Sequence, residues 1–359
     1  MEKSERETTL QKLPAMLLAW YDKNKRDLPW RENTDPYRVW VSEIMLQQTR
    51  VEAAKEHYIR FVRELPDVRA LAACPEDKLL KLWEGLGYYS RARNLQKAAK
   101  IVAENGFPQT AEGWKKLPGV GDYTAGAIAS ICFEEASPAV DGNVVRVLSR
   151  VLADGREQET LKRGFAAELA TTYPAARRGD FTQSLMELGA TVCLPASPLC
   201  LTCPLFSLCQ TKSDALPQRK EKPQRRTFCK TLFLFCDGGR LALYRRTAGV
   251  LKGTYGFFSA ERPMDNAQAE DFLRRAGLQN FTLGAPLAHT HVFSHLEWRM
   301  TAYAVYSHED AARLALPADE SAEADFARLF YADKREIESE YSLPSAFRWA
   351  LEIFSDRPR

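Results

Sequence analysis

Two acidic residues stand in settings that would give them opposite protonation states. Glu43 lies in the run Val41-Ser42-Glu43-Ile44-Met45-Leu46, where a carboxyl group is expected to be desolvated. Desolvation penalises the charged form and favours the neutral acid at pH 7. A neutral carboxyl can donate a proton as a general acid. Asp141 comes just before a helical stretch, in Val140-Asp141-Gly142-Asn143-Val144. As an N-cap it would accept backbone N–H groups and feel the positive helix end, which keeps it ionised. One neutral and one charged carboxyl suits cleavage of a glycosidic bond: the acid protonates the leaving group and the carboxylate stabilises the cationic sugar. Taken singly, Glu43 also fits a solvated helix face and Asp141 a plain cap.

Four cysteines, Cys193, Cys200, Cys203 and Cys209, fall within seventeen residues, in a loop marked by Ser197-Pro198 and Pro204. One close pair with two wider arms differs from the two close pairs of most zinc sites. It suits a four-thiolate iron–sulfur cluster at least as well, so spacing leaves both metals open. With all four positions filled, such a site is structural. Cys74, Cys132, Cys229 and Cys236 are scattered and read as small apolar packing.

A third candidate is Leu117-Pro118-Gly119-Val120-Gly121, between two helical stretches. Two glycines around one apolar residue permit a tight turn that offers backbone N–H groups at the start of the next helix. That geometry binds phosphate without reading base sequence. The same pentapeptide also fits an ordinary helix–turn–helix connection.

The elements that must hold these groups are helical up to about residue 210. Apolar residues recur at three- and four-residue spacing in Leu10–Tyr21, Tyr37–Leu46, Leu79–Leu86, Asn94–Val102, Thr124–Ile131, Val144–Leu152 and Phe181–Val192. Residues 212–229 mix Lys212, Arg219, Lys220, Lys222, Arg225 and Arg226 with Pro217 and Pro223, and read as an extended linker. Beyond it the period moves towards two. Lys230–Cys236, Asp237-Gly238-Gly239 and Arg240–Arg246 form a hairpin signal, and Leu296–Tyr306 alternates like a strand. Ala267–Ala276 and Ser345–Phe354 look helical. The expected layout is an all-α domain at 1–211, a basic linker at 212–229 and a smaller α+β domain at 230–359.

Composition removes other classes. The formal charge of the 359-residue chain is only +3, and it concentrates in the middle: net +5 over residues 211–230 against −3 over 231–359. A hydrophobic fraction of 45% excludes a disordered chain. No apolar run approaches the roughly 18 residues of a membrane span. The charged opening Met-Glu-Lys-Ser-Glu-Arg-Glu is unlike a secretory signal, so a reducing, cytoplasmic setting is expected, with thiolate ligands rather than disulfides.

The ordered set Leu28-Pro29-Trp30, Ser42-Glu43 through Thr49, Gly85-Leu86-Gly87-Tyr88-Tyr89, Leu117 to Gly121, Asp141-Gly142-Asn143, the cysteine array and Phe293-Ser294-His295 resembles the helix–hairpin–helix DNA glycosylases. Within them it is most similar to the adenine DNA glycosylases of the MutY type, over nearly the whole chain. The resemblance implies a monofunctional, monomeric enzyme that flips adenine out of 8-oxoguanine:A or G:A mispairs in double-stranded DNA and leaves an abasic site. It would work without a membrane, in the cytoplasm or on a bacterial nucleoid. Glu43 would protonate adenine N7, Asp141 would stabilise the oxocarbenium-like sugar, and Tyr123 and Asn143 would support that carboxylate. Trp30, Arg31 and Glu187 match positions lining the adenine pocket. Gln48 and Tyr88 match residues that wedge into the stack beside 8-oxoguanine, and Thr49 and Leu86 match residues touching that base. Leu117, Gly119, Val120 and Gly121 would hold DNA phosphate, and Cys193, Cys200, Cys203 and Cys209 a [4Fe-4S] cluster.

The endonuclease III type shares the cysteine spacing but has a catalytic lysine where this chain has Tyr123, and lacks an acid at the place of Glu43. Without that amine no Schiff base forms, so base removal is not coupled to strand cleavage. The C-terminal segment resembles a Nudix-like domain that senses 8-oxoguanine, with Phe293, Ser294 and His295 as recognition loop. Ala260–Leu278 lacks paired glutamates, so pyrophosphate hydrolysis and its metal are not expected. Two stretches depart from the family. Leu194–Leu199 carries no Lys or Arg, so phosphate contacts must come from backbone, Arg91, Arg93 or the linker. Leu251–Phe258 matches the family's Gly/Trp-rich segment only loosely.

Overall fold

A computed structural model of the protein describes residues 3–218, 224–317 and 328–354. Arg219, Lys220, Lys222 and Pro223 of the basic linker lie outside them. The chain divides into two compact units, Met1–Ala73 with Arg93–Glu221 and Cys74–Ala92 with Lys222–Arg359.

The first unit is helical. Helix Pro36–Leu46 opens on Asp35, whose side chain accepts the Arg38 N–H, with Pro36 at a first-turn position. Nearly all of it is buried, from Tyr37 through Met45. Helix Asp122–Phe133 is buried from Thr124 to Ile131, and Gln47 Nε2 donates to Thr124 Oγ1 at 3.2 Å between the two helices. Helices Gly142–Val151 and Arg178–Thr191 share a core with Lys3–Asn24, built on Leu13, Leu17, Val144, Leu148, Phe181 and Leu188. Helices Val51–Glu64 and Gln158–Ala170 were absent from the periodic stretches. Each buries three residues at helical spacing, Ala54, Tyr58 and Phe61 in the first and Leu161, Phe165 and Leu169 in the second.

Segment Cys74–Ala92 groups with the C-terminal residues, not with the helical domain that its periodicity suggests. Ser342 Oγ donates to Leu80 O at 3.1 Å, and Lys81 Nζ donates to Ile337 O and Tyr341 O at 3.1 and 2.9 Å. Arg348 Nε donates to the buried Glu84 at 2.8 Å. The expected helix Leu79–Leu86 is Glu76–Leu82, because Gly85 and Gly87 turn the chain with φ of +99° and +67°.

The rest of the second unit is built on strands. They are β1 (Arg226–Asp237), β2 (Arg240–Arg245), β3 (Tyr255–Gly256), β4 (Phe258–Ala260), β5 (Phe281–Leu283), β6 (Leu287–Val292), β7 (Leu296–Ser307) and β8 (Phe330–Asp333). β1 runs parallel to β7 from Arg226↔Leu296 to Cys236↔Tyr306, and its other edge pairs antiparallel with β4 and β2. β5 and β6 pair antiparallel with the far edge of β7, while β3 and β8 pair with β2. Because β1 starts at Arg226, the last four residues of the expected linker are strand. Helix Asn266–Arg275 lays Phe272 on Phe233, with ring centroids 5.0 Å apart. Ser345–Phe354 is a short helix, Ser345–Arg348, followed by a 3-10 turn, Trp349–Phe354.

Candidate active site

A cavity of about 170 Å³ in the first unit is lined by Trp30, Arg31, Glu43, Thr49, Tyr123, Asp141, Asn143 and Glu187. Glu43 is 6% exposed on the inward face of helix Pro36–Leu46. Burial pushes its carboxyl up to about 7; the charge of Asp141 adds to the rise, and Tyr123 and Arg31 oppose it. Asp141 caps helix Gly142–Val151, its Oδ1 accepting the Val144 N–H at 2.8 Å and its Oδ2 accepting Asn143 Nδ2 at 2.7 Å. The two acids thus differ in setting as their flanking residues predict, one in an apolar wall and one on a helix end.

Tyr123 differs from its expected partner. Its hydroxyl donates to Glu43 Oε2 at 2.8 Å, whereas Asp141 is held by Asn143. Tyr123 lies in the first turn of Asp122–Phe133, the helix packed on Pro36–Leu46, which brings its ring to the general-acid position. Asn143 is itself fixed: Arg146 Nη2 donates to Asn143 Oδ1 and to Gly189 O, both at 2.8 Å, and Arg146 Nε donates to Cys193 O at 2.8 Å. A Cβ on Gly189 would lie 2.7 Å from Asn143 Cβ, so only glycine allows this approach.

Glu187 has no exposed surface and takes both guanidinium groups of its neighbourhood. Arg26 Nε donates to Oε1 at 2.7 Å and Arg31 Nη2 to Oε2 at 2.8 Å. Burial works against its charge, but these donors outweigh it and hold Glu187 at about 2. Trp30 is buried edge-on against Tyr58, 5.4 Å between centroids.

Leu117 and Val120 anchor the hairpin inside while Gly119 and Gly121 are exposed, and Val120 N–H closes the turn on Leu117 O at 3.2 Å. Gly119 has φ +80°, a conformation that glycine adopts without strain. The next helix begins at Asp122, so its first N–H groups have no intrahelical acceptor. Residues 41–168, which include Glu43, this hairpin and Asp141, match the HhH-GPD superfamily of base excision DNA repair proteins. An adenine DNA glycosylase of Mus musculus is 51% identical over 226 residues, covering 57% of this chain and 44% of the relative. One of Arabidopsis thaliana is 39% identical over 322 residues, covering 76% of this chain and 50% of the relative. The chain thus spans about half the length of the curated relatives it matches. The structure of a thermostable thymine-DNA glycosylase is 28% identical with a TM-score of 0.52, over 58% of this chain and 97% of its own.

Gln48 and the expected recognition residues of the second unit are not among those lining the cavity of Glu43 and Asp141. Gln48 is exposed, at φ +57°, and lines no described cavity. In the second unit, Leu86, Tyr88, Phe293, Ser294 and His295 line one cavity of about 430 Å³. Phe293 N–H bonds Leu296 O at 2.8 Å, so these three residues form the tight turn between β6 and β7. Phe293 rests on Trp298 at 4.8 Å, and the Tyr88 and Ser294 hydroxyls are hydrogen-bonded to each other.

Cys193, Cys200, Cys203 and Cys209 line a further cavity with Val147, Val151, Leu188 and Leu205. Among the described residues no three His, Cys, Asp or Glu converge as a single ion requires. Four thiols lining one apolar hollow are a donor set that an iron–sulfur cluster takes. Buried Arg150 donates to Cys193 Sγ at 3.4 Å, a placement that suits a thiolate. The same guanidinium holds Leu194 O, Pro195 O and Leu216 O at 2.7, 3.1 and 2.6 Å.

Arg26, Ser42, Gln183 and Met186 line the acid cavity without having been singled out. Glu187 within Leu185-Met186-Glu187-Leu188 signals an acid that needs a partner, but Arg26 lies too far away in sequence to be found. Among the described residues no helix is long and apolar enough to cross a membrane.

Proposed function

We propose that this chain is a monofunctional adenine DNA glycosylase of base excision repair, acting on adenine opposite 8-oxoguanine or guanine. The observation that carries the reading is the buried Glu43, raised to about 7, in one cavity with the capped Asp141. The curated relatives named adenine DNA glycosylase support it.

With adenine flipped into the cavity, Glu43 gives its proton to N7 and turns a poor leaving group into a neutral one. Tyr123 holds the Glu43 oxygen in place. Asp141, oriented by Asn143 and the Val144 N–H, faces the cationic sugar and favours its formation. Gln48 and Tyr88 enter the stack beside 8-oxoguanine, Thr49 and Leu86 touch that base, and the N–H groups after Gly121 take a phosphate. Residues 230–359 act as a Nudix-like sensor whose turn Phe293–His295 reads the lesion. Cys193, Cys200, Cys203 and Cys209 would hold a [4Fe-4S] cluster, which when bound supplies a rigid cross-link for the loop they sit on.

Incubated with 8-oxoguanine:A, G:A and T:A duplexes, the protein should release adenine from the first two and leave a strand that breaks only after alkali. Glu43→Gln should abolish release and keep DNA binding; normal release by this variant would sink the general-acid role. Borohydride trapping of the protein on DNA, lost on a Lys→Ala change, would instead reveal a lyase.

A further inference from the structure

We propose that Arg91 is a positioning residue for Tyr88, holding the turn Gly85–Tyr89 in the shape that presents this ring to the base stack. The inference rests on the reading of Tyr88 as a wedge. Tyr88 has φ +46°, in the left-handed region that a side chain bearing a Cβ adopts only when its surroundings impose it. Arg91 supplies that imposition. Its Nη2 donates to Leu86 O at 2.8 Å and to Gly87 O at 3.2 Å, and Trp83 Nε1 donates to the same Gly87 O at 3.1 Å.

The guanidinium also lies 5.4 Å from the Trp83 ring centroid and 5.6 Å from that of Tyr88. Trp83 is fully buried and Tyr88 is 40% exposed, so the cation couples a fixed ring to a presented one. Burial lowers Arg91 to about 10, which leaves it a cation at neutral pH. A lysine would keep the charge but not the planar fork that gathers two carbonyls while stacking on rings. These inward bonds also turn Arg91 away from the phosphate contact that its sequence position invites. Its effect on DNA then passes through Tyr88.

The test uses the full chain carrying Glu43→Gln, bound to an 8-oxoguanine:A duplex with 2-aminopurine next to the lesion. Fluorescence rises when a wedge unstacks the probe, whether or not chemistry follows. Arg91→Met should lose most of the rise and Arg91→Lys part of it, while Tyr88→Ala loses it with or without the Arg91 change. In the Glu43 protein, single-turnover excision should fall roughly ten- to a hundredfold for Arg91→Met, the range that an ångström of misplacement produces. Added to Tyr88→Ala, Arg91→Met should cost nothing more, whereas a merely structural arginine would add its full effect. Additive losses, or an unchanged Arg91→Met signal, overturn the proposal. If Arg91→Met melts below the assay temperature, the folded Arg91→Lys protein decides: an undiminished rise overturns the proposal. Unstacking without excision by the Glu43 protein would reject the glycosylase reading and leave Arg91 standing. No rise with Arg91 intact would reject the wedge, and this inference with it.

Discussion

Burial raises the Glu43 carboxyl towards the neutral form, and this has a measurable effect on stability. Its value of about 7 in the folded chain lies above the ordinary 4.5. The native state therefore holds the proton more tightly than the unfolded chain. That contribution is fully present below about 4.5 and is lost as pH rises through about 7. Glutamine cannot ionise, so Glu43→Gln should be the more stable protein at pH 8, by up to about 3 kcal/mol, and lose this advantage near pH 5. Equal melting temperatures of the two proteins at both pH values would show that Glu43 is not desolvated. Tyr123 makes a second expectation. Its hydroxyl favours the ionised Glu43, so Tyr123→Phe should move the alkaline limb of the excision rate to higher pH; a limb that moves down would contradict the hydrogen bond. The contrast between Glu43 and Asp141 was legible in their neighbours, because desolvation and capping are local. The bond from Tyr123 to Glu43 was not, since it joins residues on two helices whose packing no local pattern reveals.

At the scale of elements, the turn that carries Asp141 depends on the helix Arg178–Thr191. Gly189 offers its carbonyl to Arg146 and its bare Cα to Asn143. Gly189→Ala would place a methyl 2.7 Å from Asn143 Cβ and push the turn aside. Helix propensity alone favours alanine by about 0.5–1 kcal/mol, so the fold should survive while excision drops roughly a hundredfold. Single-turnover rates beside a thermal melt check this; unchanged rates would mean that the turn has slack. The hairpin Leu117–Gly121 shows what spacing can convey at this scale. Buried Leu117 and Val120 and exposed glycines follow from residue type alone. The role of Gly189 does not, because a helical glycine gives no sign of which backbone approaches it.

For the whole molecule, the contacts divide within the expected linker, but segment Cys74–Ala92 falls on the C-terminal side of that division. Lys81 and Glu84 pair with each other and also bond residues 337–348, and Leu80 O takes Ser342. Removing everything after residue 223 should therefore leave 74–92 with rapid backbone hydrogen exchange and lower the melting temperature. Unchanged protection there would show that the segment folds without those residues. The truncation would also disturb the turn that carries Leu86 and Tyr88, so loss of 8-oxoguanine preference in it cannot be ascribed to Phe293–His295 alone. Helical periodicity at 76–82 could not reveal this, because an apolar stripe tells that a helix is covered and not what covers it.

The grouping of Cys74–Ala92 with the C-terminal residues also bears on how such a protein can change through descent. Recombination at the linker would separate Lys81 from the carbonyls of Ile337 and Tyr341, and Glu84 from Arg348. A foreign C-terminal unit would then meet a segment shaped for another partner. The two stretches, more than a hundred residues apart in the gene's reading order, are therefore inherited to best effect as a pair.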